Sequence, residues 1–290
     1  MSAAVQVREF ALGDVAAAAR FCEAARALDP DVEPFGQRLG TIAALGRAQL
    51  PLWRVACDAT GAVQGIAFAA LRESPEARAH DLYCAVHPAL RRQGVGRALC
   101  QPALACEVRL RARVSEGARP GRAFLAALGF VQTSAQLSLR RAGGRLDTLL
   151  LPALQIRAAR ARDGKILRAL VDEAWVGAPD AFLSRADDLA QVLSGPGRLT
   201  LLAEWERQPA GYLAAAQLGG ALGIEELAVL PRFRRMGIGR ALLGHALRDG
   251  GVALISVGEG NPEARALYAS LGFETVARRL VLERGFGEHR

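Results

Sequence analysis

Along the second half of the chain, the apolar positions change period in a regular order. "LQIRAA" (154–159) alternates as a strand does. "ARDGKILRALVDEAW" spaces its apolar residues three and four apart, which predicts an amphipathic helix opening near Asp163. "FLSRADDLAQVLS" predicts a second helix. "RLTLLAEW" and "PAGYLAAAQL" predict strands joined by an "ERQP" turn, and "GIEELAVL" predicts a third strand ending at Pro231. From Gly237 the helical period returns, with Ile238, Leu242 and Ala246 on one stripe. "VALISV" predicts another strand. Asn261 and Pro262 then supply an N-cap and a first-turn proline for "PEARALYASL", which stops at Gly272. "ETVARRLVLE" predicts a final strand. Strands alternating with helices place the chain in the mixed α/β class.

The first half repeats this order. "RRQGVGRALC" (91–100) falls on "RRMGIGRALL" (234–243) at an offset of 143, and "VSEG" (114–117) falls on "VGEG" (257–260) at the same offset. "ALGF" (127–130) meets "SLGF" (270–273), and "VQVREF" (5–10) resembles "LQIRAA" at an offset of 149. One ungapped offset held across such a length predicts two copies of one domain. The boundary falls in "RRAGGRLDTLLLP" (140–152), giving domains at residues 1–145 and 153–290.

Composition narrows the class. The 290 residues suffice for two domains with real cores, and no apolar run is long enough to span a membrane. The N-terminus lacks the pattern of a secretory leader, so a cytoplasmic location is expected. The net charge of +8 comes almost wholly from arginine, Lys165 being the one lysine. The first 150 residues carry 19 basic against 13 acidic residues (+6), the remainder 18 against 16 (+2). No run of five like charges and no interleaved aromatics accompany the excess, so nucleic acid is not an expected partner. Cys22, Cys57, Cys84, Cys100 and Cys106 are odd in number and share no CxxC spacing. Buried thiols are expected rather than a zinc site, with only His80 and His87 nearby.

The glycine stretches carry the chemistry. A strand that ends, a glycine-bearing loop and a helix beginning there form an anion site, because first-turn N–H groups lack helical partners. Glycine lets the backbone approach phosphate oxygens, and Arg234 and Arg235 can add charge to the same ligand. A pyrophosphate fits such a site. The dinucleotide fingerprint is a rival, since Gly237 and Gly239 supply its first two glycines and Glu259 follows at the right distance. Leu242 and Leu99 stand at its third glycine and count against it.

"LAVLPRFRRMGIGRALL" resembles the acetyl-CoA-binding segment of the GNAT superfamily of N-acetyltransferases, whose pattern Q/R-x-x-G-x-G/A is filled by Arg234, Gly237 and Gly239. Arg91, Gly94 and Gly96 fill it in the first copy. "NPEARALYASLGF" resembles that family's following segment, and the two together cover about residues 224–273. The resemblance implies two splayed, mostly antiparallel sheets flanked by helices, with acetyl-CoA as donor. It places cofactor contacts on Leu227, Ala228, Val229, Arg234, Arg235, Met236, Gly237, Ile238, Gly239, Arg240 and Asn261. In the first copy it places them on Val86, Arg91, Arg92, Gly94, Val95, Gly96 and Arg97. It also implies an oxyanion-binding N–H near Val229 and Tyr268 as the acid that protonates the leaving thiolate.

A base for the amine is offered by Glu225 and Glu226, which strand alternation sends to opposite faces. Glu225 shares parity with Leu227 and Val229 and is the favoured base. The first copy has Leu82 and Tyr83 there, Ala118 for Asn261 and Leu125 for Tyr268, which leaves His80 or Asp81 as its remaining candidates. It is expected to be catalytically degenerate, and the second copy to act on a small-molecule or peptide amine. Asp172, Glu173, Asp180, Asp187 and Asp188 could attract a cationic acceptor. A non-catalytic acyl-CoA-binding or sensing protein is the alternative. The two-copy arrangement also resembles that of mycothiol synthase, which acetylates a small thiol precursor. Fusion of the copies suggests a monomer.

Overall fold

The computed structural model describes residues 5–29, 52–73, 78–147, 149–174, 176 and 197–285, and these fall into two compact units. In the first, β1 (Gln6–Glu9), β2 (Leu52–Cys57), β3 (Val63–Glu73), β4 (Arg78–Val86) and β5 (Leu110–Ser115) lie side by side in that order. Helices α1 (Val15–Leu28), α2 (Val95–Ala105) and α3 (Arg119–Ala127) accompany them. In the second, β7 (Leu154–Ala158), β8 (Arg198–Trp205), β9 (Gln208–Leu218), β10 (Ala221–Val229) and β11 (Val252–Gly258) repeat the order. Here the helices are α4 (Gly164–Ala174), α5 (Ile238–Ala246) and α6 (Pro262–Ser270). Within each unit the β4–β5 or β10–β11 pair is parallel, and every other pair with a defined register is antiparallel. The expected helix at 182–194 lies outside the described residues.

The last strand of each unit comes from the other half of the sequence. β6 (Val131–Arg141) runs antiparallel to β11, from Ala253↔Arg141 to Gly258↔Gln136. β12 (Phe273–Arg284) runs antiparallel to β5, from Arg279↔Ser115 to Arg284↔Leu110. The first unit therefore takes the described residues up to Arg72 together with Arg78–Thr133 and the stretch from Arg279, and the second takes Ser134–Arg278, instead of a division at the 145/153 boundary. The reason is physical: alternation tells a strand which face is buried and says nothing of which edge it joins. Leu137 and Leu139 of β6 are buried with Leu242, Ile255, Tyr268 and Phe273 of the second unit. On the other face of that sheet, Leu167, Leu170 and Val171 of α4 pack on Leu202, Tyr212, Ala228 and Leu230.

One ion pair recurs where each copy begins. The Arg8 guanidinium donates to both Asp14 oxygens at 2.7 and 2.8 Å, and the Ala11 N–H joins at 2.7 Å. Arg157 repeats this with Asp163 at 2.7 and 3.0 Å, and the Arg160 N–H donates at 2.7 Å. These bonds hold both carboxyls below the usual carboxylate range, Asp163 at about 2.

Candidate active site

The site begins where two paired strands part. β10 and β11 pair from Ala221↔Val252 to Ile224↔Ile255, and no further. At the same point β10 carries a bulge against β9, its register jumping from Ile224 to Glu226. Beyond it, a cleft of about 830 Å³ has Glu225–Val229 on one wall and Ile255–Gly258 on the other. The first turn of α5, Asn261 and Tyr268 with their neighbours on α6, and Gln136 of β6 complete the lining.

Strand geometry aims the wall's amides. The Leu230 N–H donates across to the Ala210 carbonyl on β9 at 2.9 Å. Because successive residues point their peptide groups to opposite edges, the N–H groups of Val229 and Leu227 turn away from β9 toward the cleft. The Val229 carbonyl faces the same way and accepts from Arg234 Nε at 3.2 Å. An uncapped N–H at Val229 is the kind of donor that stabilises charge on a carbonyl oxygen.

The bulge alters the expectation for the two glutamates. Glu225 is the extra residue, so simple parity does not extend through it. Its carboxylate is ion-paired with Arg198 at 2.8 Å. Glu226 falls in step with Ala228 and Leu230, and the phenol of Tyr212 donates to it in a short hydrogen bond. Both glutamates line the cleft. Asp172 pairs with Arg168 on its own helix and Glu173 with Arg232, so these two acids are already engaged. Asp180, Asp187 and Asp188 lie outside the described residues.

Both copies build the same backbone cradle. Arg92 and Arg235 take positive φ (64° and 65°), as do Gly94 and Gly237 (80° and 83°), which are the N-caps of α2 and α5. The Ala241 N–H closes the first turn of α5 on the Gly237 carbonyl, leaving the N–H groups of Ile238, Gly239 and Arg240 without helical partners. A Cβ on Gly239 would stand 3.3 Å from Leu267, and one on Gly96 3.1 Å from Phe124.

The side chains of this segment divide between bracing the fold and lining the cleft. Arg234 lines the cleft and at the same time spends Nε on Val229 and Nη2 on the Ala174 carbonyl at 3.0 Å, so it also braces the strand end against α4. Arg91 does the equivalent, bonding the Val86 carbonyl at 3.3 Å and Asp29 at 2.7 Å. Met236 packs on the apolar core and does not line the cleft. Arg235 and Arg240 do line it, and Arg240 also donates to Ser270 Oγ at 3.2 Å. Arg97 likewise reaches the Ala127 carbonyl at 3.3 Å.

On α6, Asn261 caps the helix by accepting the Ala264 N–H at 3.0 Å through Oδ1, which leaves its amide nitrogen for a ligand. Tyr268 lines the cleft while only 5% exposed, its ring tilted on Phe273 at 5.8 Å. Burial pushes its phenol well above the usual range, so it keeps its proton.

The first unit has the cradle without these groups. Tyr83 stacks on Phe68 at 4.7 Å, and Leu82, Ala118 and Leu125 are buried. Asp81 is buried in ion pairs with Arg111 at 2.7 Å and Arg113 at 3.2 Å, which removes it as a base. Burial lowers the proton affinity of His80. Of the cysteines, Cys22, Cys57 and Cys100 are buried, whereas Cys84 is half-buried and Cys106 exposed. Sequence reasoning did not single out Tyr212, Arg198 or Gln136. None belongs to a motif, and the bulge and exchanged strand that bring them to the site show only in the register.

Comparison with known families supports the arrangement. Residues 167–273 match the acetyltransferase (GNAT) family and residues 52–132 the acetyltransferase (GNAT) domain, together more than half of the chain. Among solved structures, a GCN5-related N-acetyltransferase from Sphaerobacter thermophilus is similar at 20% identity and a TM-score of 0.71, over 97% of this chain and 95% of that one. A tandem GNAT protein from the clavulanic acid biosynthesis pathway is similar at 19% and 0.72, over 99% and 100%. An acetyltransferase-like protein of Pyrococcus horikoshii is similar at 13% and 0.68, over 97% and 89%. At these identities the likeness speaks for the fold. No helix among the described residues is long and apolar enough to cross a membrane.

Proposed function

The chain belongs to the GNAT superfamily, with two such domains in tandem and acetyl-CoA as the acetyl donor; from that premise we propose that its second unit acetylates a primary amine by direct attack in a ternary complex. The observation that carries this reading is the cleft where β10 leaves β11. It has unpartnered first-turn N–H groups at one end, carboxylates at the other, and a protonated phenol on its wall.

The residues present fit the donor. The open N–H groups of Ile238, Gly239 and Arg240, with Arg235 beside them, suit a pyrophosphate. Glycine at 239 leaves room that a side chain would take from Leu267. The amide nitrogen of Asn261 can hold the arm that follows. Acetyl-CoA, when bound, supplies a thioester carbonyl that a neutral amine can attack.

The protein's own groups do the rest. The Val229 N–H stabilises negative charge as it grows on the carbonyl oxygen. A carboxylate at the bulge takes the proton that the amine must lose, and the Tyr268 phenol gives one to the departing thiolate. The carbon–nitrogen bond forms as the carbon–sulfur bond breaks, and the two proton transfers balance. The acceptor is a small-molecule or peptide amine entering past Glu225 and Glu226. The first unit, lacking counterparts to Glu226, Asn261 and Tyr268, does not turn over.

Calorimetric titration of the full chain with acetyl-CoA is the direct test, followed by thiol release in the presence of primary amines. Saturable binding with amine-dependent thiol release is expected. Absence of binding at millimolar acetyl-CoA would overturn the assignment.

A further inference from the structure

Beside the glutamates, the sheet turns a row of uncharged polar side chains toward the cleft. Ile255 and Val257 of β11 are buried against α5 and α6, so Ser256 between them points to the other face of the sheet, where it is exposed and lines the cleft. Leu137 and Leu139 of β6 are buried in the same cluster, which turns Gln136 and Ser138 to the face of Ser256. The register sets Ser138 across from Ser256 and Gln136 across from Gly258. Glycine leaves that last position open, since a Cβ on Gly258 would meet nothing within 4 Å. Glu226 stands on this face too, in step with Ala228 and Leu230, which pack under α4. Of the described residues, none bonds the side chain of Gln136, Ser138 or Ser256. We infer that these three side chains are the floor on which the body of the acceptor rests, and that the acceptor is a hydroxylated amine of the amino-sugar or amino-alcohol class. The inference rests on the acetyltransferase reading given above.

The chemistry of the floor selects the class. Each hydroxyl can give and accept a hydrogen bond, and the Gln136 amide does both through separate atoms. An alcohol hydroxyl, itself donor and acceptor, asks for that kind of partner. The groups also spread in two dimensions. Opposed residues on neighbouring strands hold their Cβ atoms about 5 Å apart, and residues two apart on one strand are separated by about 7 Å. Ser256, Ser138 and Gln136 thus make a triangle suited to hydroxyls set around a ring or a branched chain, whereas a peptide lays its donors and acceptors along one line. A polyamine would need carboxylates along its length, and Asp172 and Glu173 are already spent on Arg168 and Arg232. The first unit has a different surface at the matching register. Arg113 stands for Ser256, Val281 for Ser138 and Arg279 for Gln136. The uncharged floor therefore belongs to the unit that carries Asn261 and Tyr268, and two of its three groups come from a strand encoded in the first half of the sequence.

The test uses the full chain with acetyl-CoA as donor, following thiol release with glucosamine, serinol, cyclohexylamine, spermidine and glycyl-glycine as acceptors. Glucosamine or serinol is expected to exceed cyclohexylamine in kcat/KM by about 100-fold, since a site built to bond hydroxyls rejects a ligand that lacks them. Gln136→Leu and Ser256→Ala are each expected to raise KM for the hydroxylated amine about 10-fold, the loss falling on KM and leaving the calorimetric affinity for acetyl-CoA unchanged. Preference for spermidine, glycyl-glycine or cyclohexylamine, or equal losses on hydroxylated and plain amines, would overturn the inference. A second readout needs no turnover. The nitrogen-15 resonance of the Gln136 side-chain amide, assigned through Gln136→Leu, is expected to shift when glucosamine or serinol is added and to stay in place with cyclohexylamine. No shift with either hydroxylated amine would equally overturn the inference. A shift in a chain that fails to bind acetyl-CoA would uphold the floor and count against the acetyltransferase reading alone.

Discussion

Tyr268 keeps its proton because ionising a phenol beside Phe273, almost out of water, would strand a charge in an apolar setting. A general acid must hold its proton until the leaving group needs it, so the burial that looks like packing also suits the role. Replacing the residue with Phe preserves the ring contact and removes only the donor. Tyr268→Phe is expected to lower kcat by about 100-fold with acetyl-CoA affinity unchanged, measured by steady-state kinetics beside calorimetric titration. Equal losses in affinity and rate would instead mark the hydroxyl as a binding group. The same scale shows how an arginine in a motif can serve two ends, since Arg234 lines the cleft and also braces the fold. Arg234 was legible as a cation near a phosphate cradle, but its partners, the carbonyls of Val229 and Ala174, lie five and sixty residues away. A residue's type announces what it can bond and not what it does bond.

Among elements, the pairs that fasten β1 to α1 and β7 to α4 give a pH dependence with a definite sign. Asp163 is held at about 2 chiefly by Arg157, below the ordinary carboxylate range near 4. As the pH falls from 4 toward 2 the folded state therefore binds fewer protons there than the unfolded chain does. Stability from this pair is complete above about pH 4 and fades as the pH falls toward 2. Asp163→Asn should melt about 3 °C below wild type at neutral pH, and the gap should close in melts taken down to pH 2.5. A gap that stayed constant with pH would mean that the carboxylate's charge is not what the pair contributes. Most elements of this kind were legible. Asn261 followed by Pro262 marked the start of α6, and the end at Gly272 followed from its left-handed backbone. The bulge at Glu225 was not, because one extra residue in a strand leaves a sequence that still alternates on either side of it. Only the pairing of Glu226 with Ala214 shows that the count has slipped.

At the scale of the whole molecule, the repeat was legible while the assignment of last strands was not. β6 and β12 match each other in pattern, so either could complete either sheet, and each completes the sheet of the other half. If residues 1–152 and 153–290 are produced as separate chains, each half lacks the strand that covers an edge of its own sheet. The expected outcome is that residues 153–290 alone aggregate or fail to bind acetyl-CoA, and that co-expression with residues 1–152 restores binding in a co-purifying pair. Full binding by residues 153–290 alone would show that β6 is dispensable to the cleft it helps to line. The exchange also sets an order of events during synthesis. The strand that closes the first unit spans Phe273–Arg284, near the end of the described chain, so the half that leaves the ribosome first is the last to be finished. Until then the exposed edge of β5 must wait for a partner more than 160 residues downstream. A premature stop just before Arg279 would thus strike the N-terminal unit, the one farthest from the lesion in sequence.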